Sequence, residues 1–459
     1  MNNPMSADVL AQAVAAATQT HAIVFGPGAV RSTGELFAHQ FPGASALLVA
    51  DQNTYAAAGD EVLASLRAAG VGLAGQPYVF PGKPTLYCSY DNTVTIKQRW
   101  QQDPDAVVVA VASGTLNDLV KLAAGELGRA YLEVCTAASV DGYTAFGASI
   151  EQDGFKITHP CPAPVALVAD TTVMADAPAR LTATGYGDLI EKIPAGADWI
   201  LAEEVGVEPI LSQAWDMVQP ASRAALGRPE QIAAGDHDAI AELAQANLLS
   251  GLAMQAAQSS RPASGAGHLF SHVWEMEGHG LSWDPPLSHG FKVGIGTIAS
   301  CALWQACLAL DLRTIDLDRV VPTIGDDDAL VARCQRLLSD RIRPAALAQS
   351  RQKLVTGAAH RAHIERLVER WPSVQQRCRE QLIGPDEVVR RLAMVGAPHH
   401  PSQIGIDAAR LQRTYLQAQL IRSRYTILDA LAELGLLEPM VRDLFAPDGF
   451  WGRNPWPAN

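Results

Sequence analysis

The chain has 459 residues, more than one ordinary core accommodates, so two domains are expected. Apolar residues make up 48% and charged residues 18%, a balance that excludes a disordered chain. The formal net charge of −13, without any basic cluster, excludes a nucleic-acid-coating role.

Met1 to Ala17 has no Lys or Arg and no apolar stretch of signal-peptide type. No apolar run nears the roughly 20 residues that span a bilayer. A soluble, cytoplasmic protein is expected. His21–Phe25 reads as a strand ending in the turn Gly26-Pro27-Gly28, and Ala46–Ala50 as a second strand ending at Asp51. A helix pattern runs from about Tyr55 to Ala69. Ala106–Val111 is a continuous apolar run, suited to a strand buried on both faces, and leads through Ser113-Gly114-Thr115 into another helix. Val165–Val168 reads as the last strand, ending at Asp170. Alternating strands and helices predict a mostly parallel α/β sheet.

Beyond about Pro178 the pattern becomes helical, with long stretches at Asp236–Gln258, Ile295–Leu310, Ala329–Leu338, Ala345–Trp371 and Ile406–Leu437. We therefore expect an α/β nucleotide-binding domain over 1–175 and an all-α metal- and substrate-binding domain over 176–459. The tail from Phe445, with Phe450, Trp451 and Trp456, reads as a strap on the surface or an oligomer contact. Cys88, Cys135, Cys161, Cys301, Cys307, Cys334 and Cys378 form no CxxC pair and read as buried free thiols.

Two glycine turns attract notice. Gly26-Pro27-Gly28 follows a strand and precedes Asp51, the arrangement in which an acidic residue takes the ribose hydroxyls of a dinucleotide. Ser113-Gly114-Thr115 opens the helix holding Asn117, Asp118 and Lys121, where free N–H groups can cradle an anion. Both turns are expected to face one crevice. Asp51 would repel a 2′-phosphate, which tilts the expectation toward NAD over NADP.

Three later segments suit a metal. Gly187-Asp188-Leu189 places a carboxylate at an expected helix start. His268 and His272 are four residues apart, on one helix face, and Ser288-His289-Gly290 adds a third imidazole. One Asp and two His leave a coordination position open for chemistry, and the spacing leaves open which two His are used. His279 reads as part of an exposed loop and His399-His400 as a loop pair.

Ser113 to Asp118, Thr136-Ala137-Ala138-Ser139-Val140-Asp141-Gly142, Gly187-Asp188-Leu189, Ser260 to His272, and His289 to Gly294 occur in this order. Together they resemble the sn-glycerol-1-phosphate dehydrogenase family, within the superfamily of dehydroquinate synthase and the iron-containing alcohol dehydrogenases. The resemblance covers about residues 20 to 300 and implies a dehydroquinate synthase-like fold. It implies metal-assisted, NAD(H)- or NADP(H)-dependent reduction of dihydroxyacetone phosphate. The implied metal ligands are Asp188, His268 and His289, holding Zn2+ first, with Ni2+ or Fe2+ as alternatives. His272 and Asp141 are implied at the substrate. Asp51, Ser113, Gly114, Thr115, Asp118, Thr136 and Ser139 are implied at the cofactor. Arg261 and Lys292, which flank the metal motifs, are candidates for the substrate phosphate.

The chain departs from the family pattern at Ala112, Gly267 and Phe291. A related polyol or alcohol dehydrogenase, or a catalytically silent homologue, is the alternative. A homodimer is the expected assembly.

Overall fold

Unbroken runs of Val, Leu and Ala can be covered on both faces, and here they line up as one parallel sheet. A computed structural model describes residues 7–320, 326–454 and 456. Its strands are β1 (Ala22–Gly26), β2 (Ser45–Asp51), β3 (Tyr78–Phe80), β4 (Ala106–Ala112), β5 (Tyr131–Cys135) and β8 (Ala166–Asp170), in the order β1-β8-β5-β4-β2-β3. β4 is interior, paired with β2 and β5, and Val108 to Ala112 are fully buried. Two further strands, β6 (Ala148–Gln152) and β7 (Phe155–His159), form a separate antiparallel hairpin that the sequence pattern does not announce.

After β8 every element of the described residues is helical. Ala179–Leu189, Lys192–Glu204, His237–Ala257, Ala266–Met276 and His289–Cys307 form the body that faces the sheet. One apolar cluster joins Cys135, Leu167 and Ala169 of the strands to Leu189, Phe270 and Ile298 of these helices. No helix among the described residues is long and apolar enough to cross a membrane. All seven cysteines are buried and free.

Two expected helices are broken. Ala345–Trp371 divides into Arg343–Lys353 and Gly357–Gln381, and the second continues through Pro372 because Trp371, Val374 and Cys378 hold it in the core. Ile406–Leu437 divides into Ala408–Ala418 and Ile427–Glu433, separated by a segment that ends in a Thr426–Asp429 capping box. The aromatic tail is not a surface strap: Phe450 and Trp451 are buried, and Trp451 Nε1 donates to the Tyr415 hydroxyl at 3.0 Å. Residues 455 and 457–459 of that tail lie outside the described residues.

Two glycines set the spacing of the helices that meet at the site. A Cβ on Gly187 would lie 2.5 Å from Gly290 O, and one on Gly290 would lie 2.0 Å from Thr184 O. The helices Ala179–Leu189 and His289–Cys307 therefore touch backbone to backbone, and Thr184 Oγ1 donates to Ser288 Oγ at 3.2 Å beside the contact. Gly290→Ala is expected to cost about 1–3 kcal/mol, as overpacking does. It should also weaken divalent-metal binding at least tenfold (~10×), because it moves His289 away from Asp188. Urea unfolding and a metal titration of the variant check both.

Candidate metal and nucleotide site

Asp188 lies in the last turn of the Ala179–Leu189 helix, not at a helix start. Gly185 and Gly187 lie inside that helix and serve close contacts, Gly185 against Ala138 O and Gly187 against Gly290 O. His268 stands in the first turn of Ala266–Met276, and His289 opens His289–Cys307 behind an extended Ser288. One donor atom each from Asp188, His268 and His289 falls within 4.8 Å of the others. Asp188 and His268 are buried and His289 is partly exposed, so the cluster has a closed side and an open side.

Behind each histidine stands a carboxylate that the sequence reading missed. Glu191 Oε2 lies 2.9 Å from His268 Nδ1, and Glu275 Oε1 lies 2.9 Å from His289 Nδ1. Each carboxylate fixes the Nδ1–H tautomer and leaves Nε2 for a metal, the arrangement found behind metal-bound imidazoles. His268 Nε2 indeed lies 3.4 Å from Asp188 Oδ1. This donor set fits one divalent cation. Glu191 Oε1 also accepts from Gly265 N at 3.1 Å and His268 N at 3.3 Å, which caps the helix that carries His268. The departure at Gly267 has its explanation here, since a Cβ there would meet Glu191 Cγ at 2.8 Å. Glu191 occupies the space of a side chain at 267.

Lys192, wholly buried, bridges two carboxylates, 2.9 Å from Asp141 Oδ2 and 3.0 Å from Asp188 Oδ1. Asp141 Oδ2 also accepts from Ser250 Oγ at 2.9 Å, and Asp141 N donates to Asp188 Oδ2 at 3.3 Å. Burial opposes the charge on Asp188, but Lys192 and the two histidines outweigh it and hold the carboxyl well below its usual range. Burial likewise works against His268, yet Glu191 and Asp188 raise it to about 9.

His272 completes a triangle of rings, 6.0 Å from His268 and 6.0 Å from His289 between centroids. Its Nδ1 lies 3.4 Å from Glu275 Oε2, but burial dominates and pushes its pKa down to about 3, so the ring is neutral near pH 7. Lys292 Nζ lies 3.4 Å from Glu275 Oε1 and is pushed by burial down to about 8.

Arg261 does not serve as expected. It is fully buried, and its guanidinium donates to Tyr425 O at 2.8 Å and Asp198 O at 2.7 Å, with Glu208 at 3.4 Å. Those bonds hold the turn before the His268 helix and leave little for a ligand. Phe291 is buried under the Arg180 guanidinium, 5.5 Å from its ring centre. His279 is half-buried rather than exposed, packed on Trp283 and bonded to Ile404 O and Arg410. His400 caps a short turn through Ser402, a structural task.

At the sheet, β2 and β4 are neighbours, so Asp51 and Ser113-Gly114 emerge side by side at their carboxyl ends. The chain reverses its direction of spread there, with β3 outside β2 and β5 beyond β4, which is where open α/β sheets bind ligands. The helix Gly114–Leu127 starts behind Ser113, whose side chain does not cap it, so its first-turn N–H groups can take an anion. A Cβ on Gly114 would stand 3.2 Å from Val140 Cγ1, which keeps this cradle narrow. Asp51 Oδ1 accepts from Asn53 N at 2.8 Å and Thr54 N at 3.0 Å. Thr136 N donates to Ala112 O at 3.0 Å, Ser139 Oγ meets the Tyr143 hydroxyl at 3.3 Å, and Asp118 accepts from Ser149 N at 3.1 Å.

The Gly26-Pro27-Gly28 turn does not share this crevice. β1 is an edge strand three places from β4, and the Gly28 and Val30 N–H groups donate to the Asp170 carboxylate at 3.1 and 3.0 Å. The chain supplies its own anion to that turn.

The family model of the iron-containing alcohol dehydrogenases matches residues 24–178. The chain is 35% identical over 258 residues to a protein of Halalkalibacterium halodurans named glycerol-1-phosphate dehydrogenase (NAD(P)+), covering 56% of this chain and 64% of that one. A protein of the same name from Geobacillus thermodenitrificans is 30% identical over 342 residues, 73% of this chain and 74% of that one. Another from Picrophilus torridus is 32% identical over 327 residues, 70% and 89%. The match spans less than two thirds of the length of the Halalkalibacterium halodurans and Bacillus velezensis relatives, 64% and 62%. A probable glycerol dehydrogenase from Sinorhizobium meliloti superposes with a TM-score of 0.57 at 15% identity, covering 92% of this chain and 98% of that one. Maleylacetate reductase from Agrobacterium tumefaciens gives 0.54 at 16%, covering 92% and 96%. These two likenesses concern the fold.

Because His268 holds its proton up to about pH 9 in the metal-free chain, metal binding must release it. Zn2+ affinity should therefore rise with pH, about tenfold per unit from roughly pH 6 to pH 8. Glu191→Gln should lower the affinity about 10- to 100-fold. Calorimetric titrations across that pH range check both.

Proposed function

The chain belongs to the glycerol-1-phosphate dehydrogenase family, and from that premise we propose that it interconverts dihydroxyacetone phosphate and sn-glycerol 1-phosphate with NAD(H) or NADP(H). The observation that carries the proposal is the hydrogen bond from Asp141 N to Asp188 Oδ2. It ties the loop after β5 to the metal-type donor cluster, so a nicotinamide on that loop and a ketone at the cluster would be neighbours.

Asp188, His268 and His289 are the residues that would hold the metal, Zn2+ or alternatively Ni2+ or Fe2+. Asp51, Ser113, Gly114, Thr115, Asp118, Thr136 and Ser139 are those that would hold the dinucleotide. When bound, the metal would polarise the ketone oxygen and the nicotinamide would deliver a hydride to the carbonyl carbon. The chain's own part is orientation and proton handling. Glu191 and Glu275 aim the two imidazoles, and Lys192 bridges Asp141 and Asp188 and keeps Asp188 ionised. Neutral His272 has one N–H and one lone pair at the open side of the cluster, and with Asp141 it would relay the proton to the product oxygen. Lys292 contributes positive charge for the substrate phosphate. We read the two domains as meeting at residues 175–176, and the working protein as a cytoplasmic homodimer.

Purified, metal-loaded protein should favour dihydroxyacetone phosphate over dihydroxyacetone by at least about 1000-fold in kcat/KM. The product should be the sn-1 enantiomer, and NADH should be preferred. Asp141→Asn should lower kcat by about 100-fold or more. Equal rates on the two ketones would overturn the proposal.

A further inference from the structure

A substrate phosphate brings about two negative charges into a site that already holds Asp141, Asp188 and Glu275, and Arg261 has little to give it. The segment between the Ala408–Ala418 and Ile427–Glu433 helices offers what is missing. It is anchored on both sides. Leu420 O accepts from Ser350 Oγ at 2.7 Å, and Ser423 N donates to Gln349 Oε1 at 3.0 Å. Arg424 reaches Ser264 Oγ at 2.6 Å and Ser260 Oγ at 2.5 Å, and Tyr425 O accepts from Arg261 at 2.8 Å. These bonds clamp the segment onto the turn that opens the helix bearing His268 and His272.

Arg422 stands between the anchors and is half-buried. Among the described residues its one hydrogen bond, 3.4 Å long, goes to the carbonyl of its own neighbour Ile421, and no carboxylate forms an ion pair with it. Its charge is nevertheless felt at His272 and is drawn to Glu275. Two lysines act on the same carboxylate. Lys292 Nζ, wholly buried, is 3.4 Å from Glu275 Oε1. Lys156, on β7 against the Ala266–Met276 helix, feels both Glu275 and Lys292. Asp118 also faces Lys156 but lies 3.9 Å from Lys121, which shares its charge. One carboxylate, already serving His289 and His272, is thus paired with Lys292 and also draws the charges of Arg422 and Lys156. Three cations against one carboxylate leave positive charge in excess, and charge at a partly buried place is costly unless an anion completes it.

We infer that Arg422, together with Lys292 and Lys156, forms the binding site for the phosphate group of the substrate, beside His272. This rests on the keto-phosphate reading above. In a guanidinium–phosphate pair two parallel N–H donors meet two phosphate oxygens, so Arg422 would carry specificity as well as charge.

The test uses metal-loaded wild type, Arg422→Gln and Arg422→Lys, with dihydroxyacetone phosphate, dihydroxyacetone, and inorganic phosphate as an inhibitor. Arg422→Gln is expected to raise KM for the phosphorylated ketone about 100-fold while kcat changes only a few-fold. Inhibition by inorganic phosphate should weaken at least tenfold (~10×), and Arg422→Lys should recover part of both. A fall in kcat on both ketones, with inhibition by phosphate unchanged, would mark a structural residue and overturn the site. A wild-type preference for the phosphorylated ketone that survives Arg422→Gln would overturn it equally. A wild type with no such preference would instead overturn the keto-phosphate reading itself.

Discussion

Asp188, Glu191, Glu275 and Asp141 lie almost out of water between the sheet and the helices, and a buried carboxylate is tolerated only with donors around it. Much of the local architecture follows from meeting that demand. Lys192 serves Asp141 and Asp188 together. Glu191 takes two backbone N–H groups of the Ala266–Met276 helix start and the imidazole of His268. Glu275 takes His289, with Lys292 close by. Removing any one partner leaves another charge stranded, so the cluster holds its shape as a unit. The same bonds that satisfy the carboxylates turn the Nε2 atoms of two histidines toward Asp188.

The sheet supplies the second half of the site by its strand order. β2 and β4 are adjacent while the chain spreads in opposite directions from them, so their carboxyl ends leave a gap that Asp51 and Gly114 border. The loop after β5 then crosses from that gap to the helices, and Asp141 fastens it to Asp188. Backbone contact at Gly187 and Gly290 brings the last donor within reach. The proposed hydride transfer would need its two reactants in one place to within about an ångström, and these contacts would help to set that distance.

Much of this was legible in the sequence, for identifiable reasons. The parallel sheet showed itself because strands covered on both faces must be apolar throughout. That Asp188, His268 and His289 would come together was implied by the family resemblance, since spacing alone left open which two of His268, His272 and His289 would join the carboxylate. What stayed hidden depended on pairing in space. Glu191 and Glu275 follow Asp188 and His272 by three residues, a helical spacing that marks a shared face, yet their value lies in histidines on other segments. Gly26-Pro27-Gly28 looked like a phosphate turn because its residue types allow one; Asp170, from a distant strand, fills it. Asp188 was expected at a helix start because glycines precede it, but Gly185 and Gly187 lie within the helix, where they allow close packing. Arg261 was singled out for its neighbours in sequence, whereas Arg422, more than a hundred and fifty residues on, is brought to the site only by the break at Gln419–Thr426. That break was signalled by the Thr426–Asp429 capping box, hidden inside an apolar run long enough to read as one helix.

The central claim is that Asp188, His268 and His289 hold one divalent ion on which reduction of the phosphorylated ketone depends. The most direct measurement adds Zn2+, Ni2+ or Fe2+ stepwise to metal-depleted protein and follows NADH oxidation with dihydroxyacetone phosphate. Activity should climb from the background in proportion to the metal added and stop climbing at one ion per chain. Full turnover without metal, or an activity that ignores stoichiometric loading with all three ions, would contradict the account.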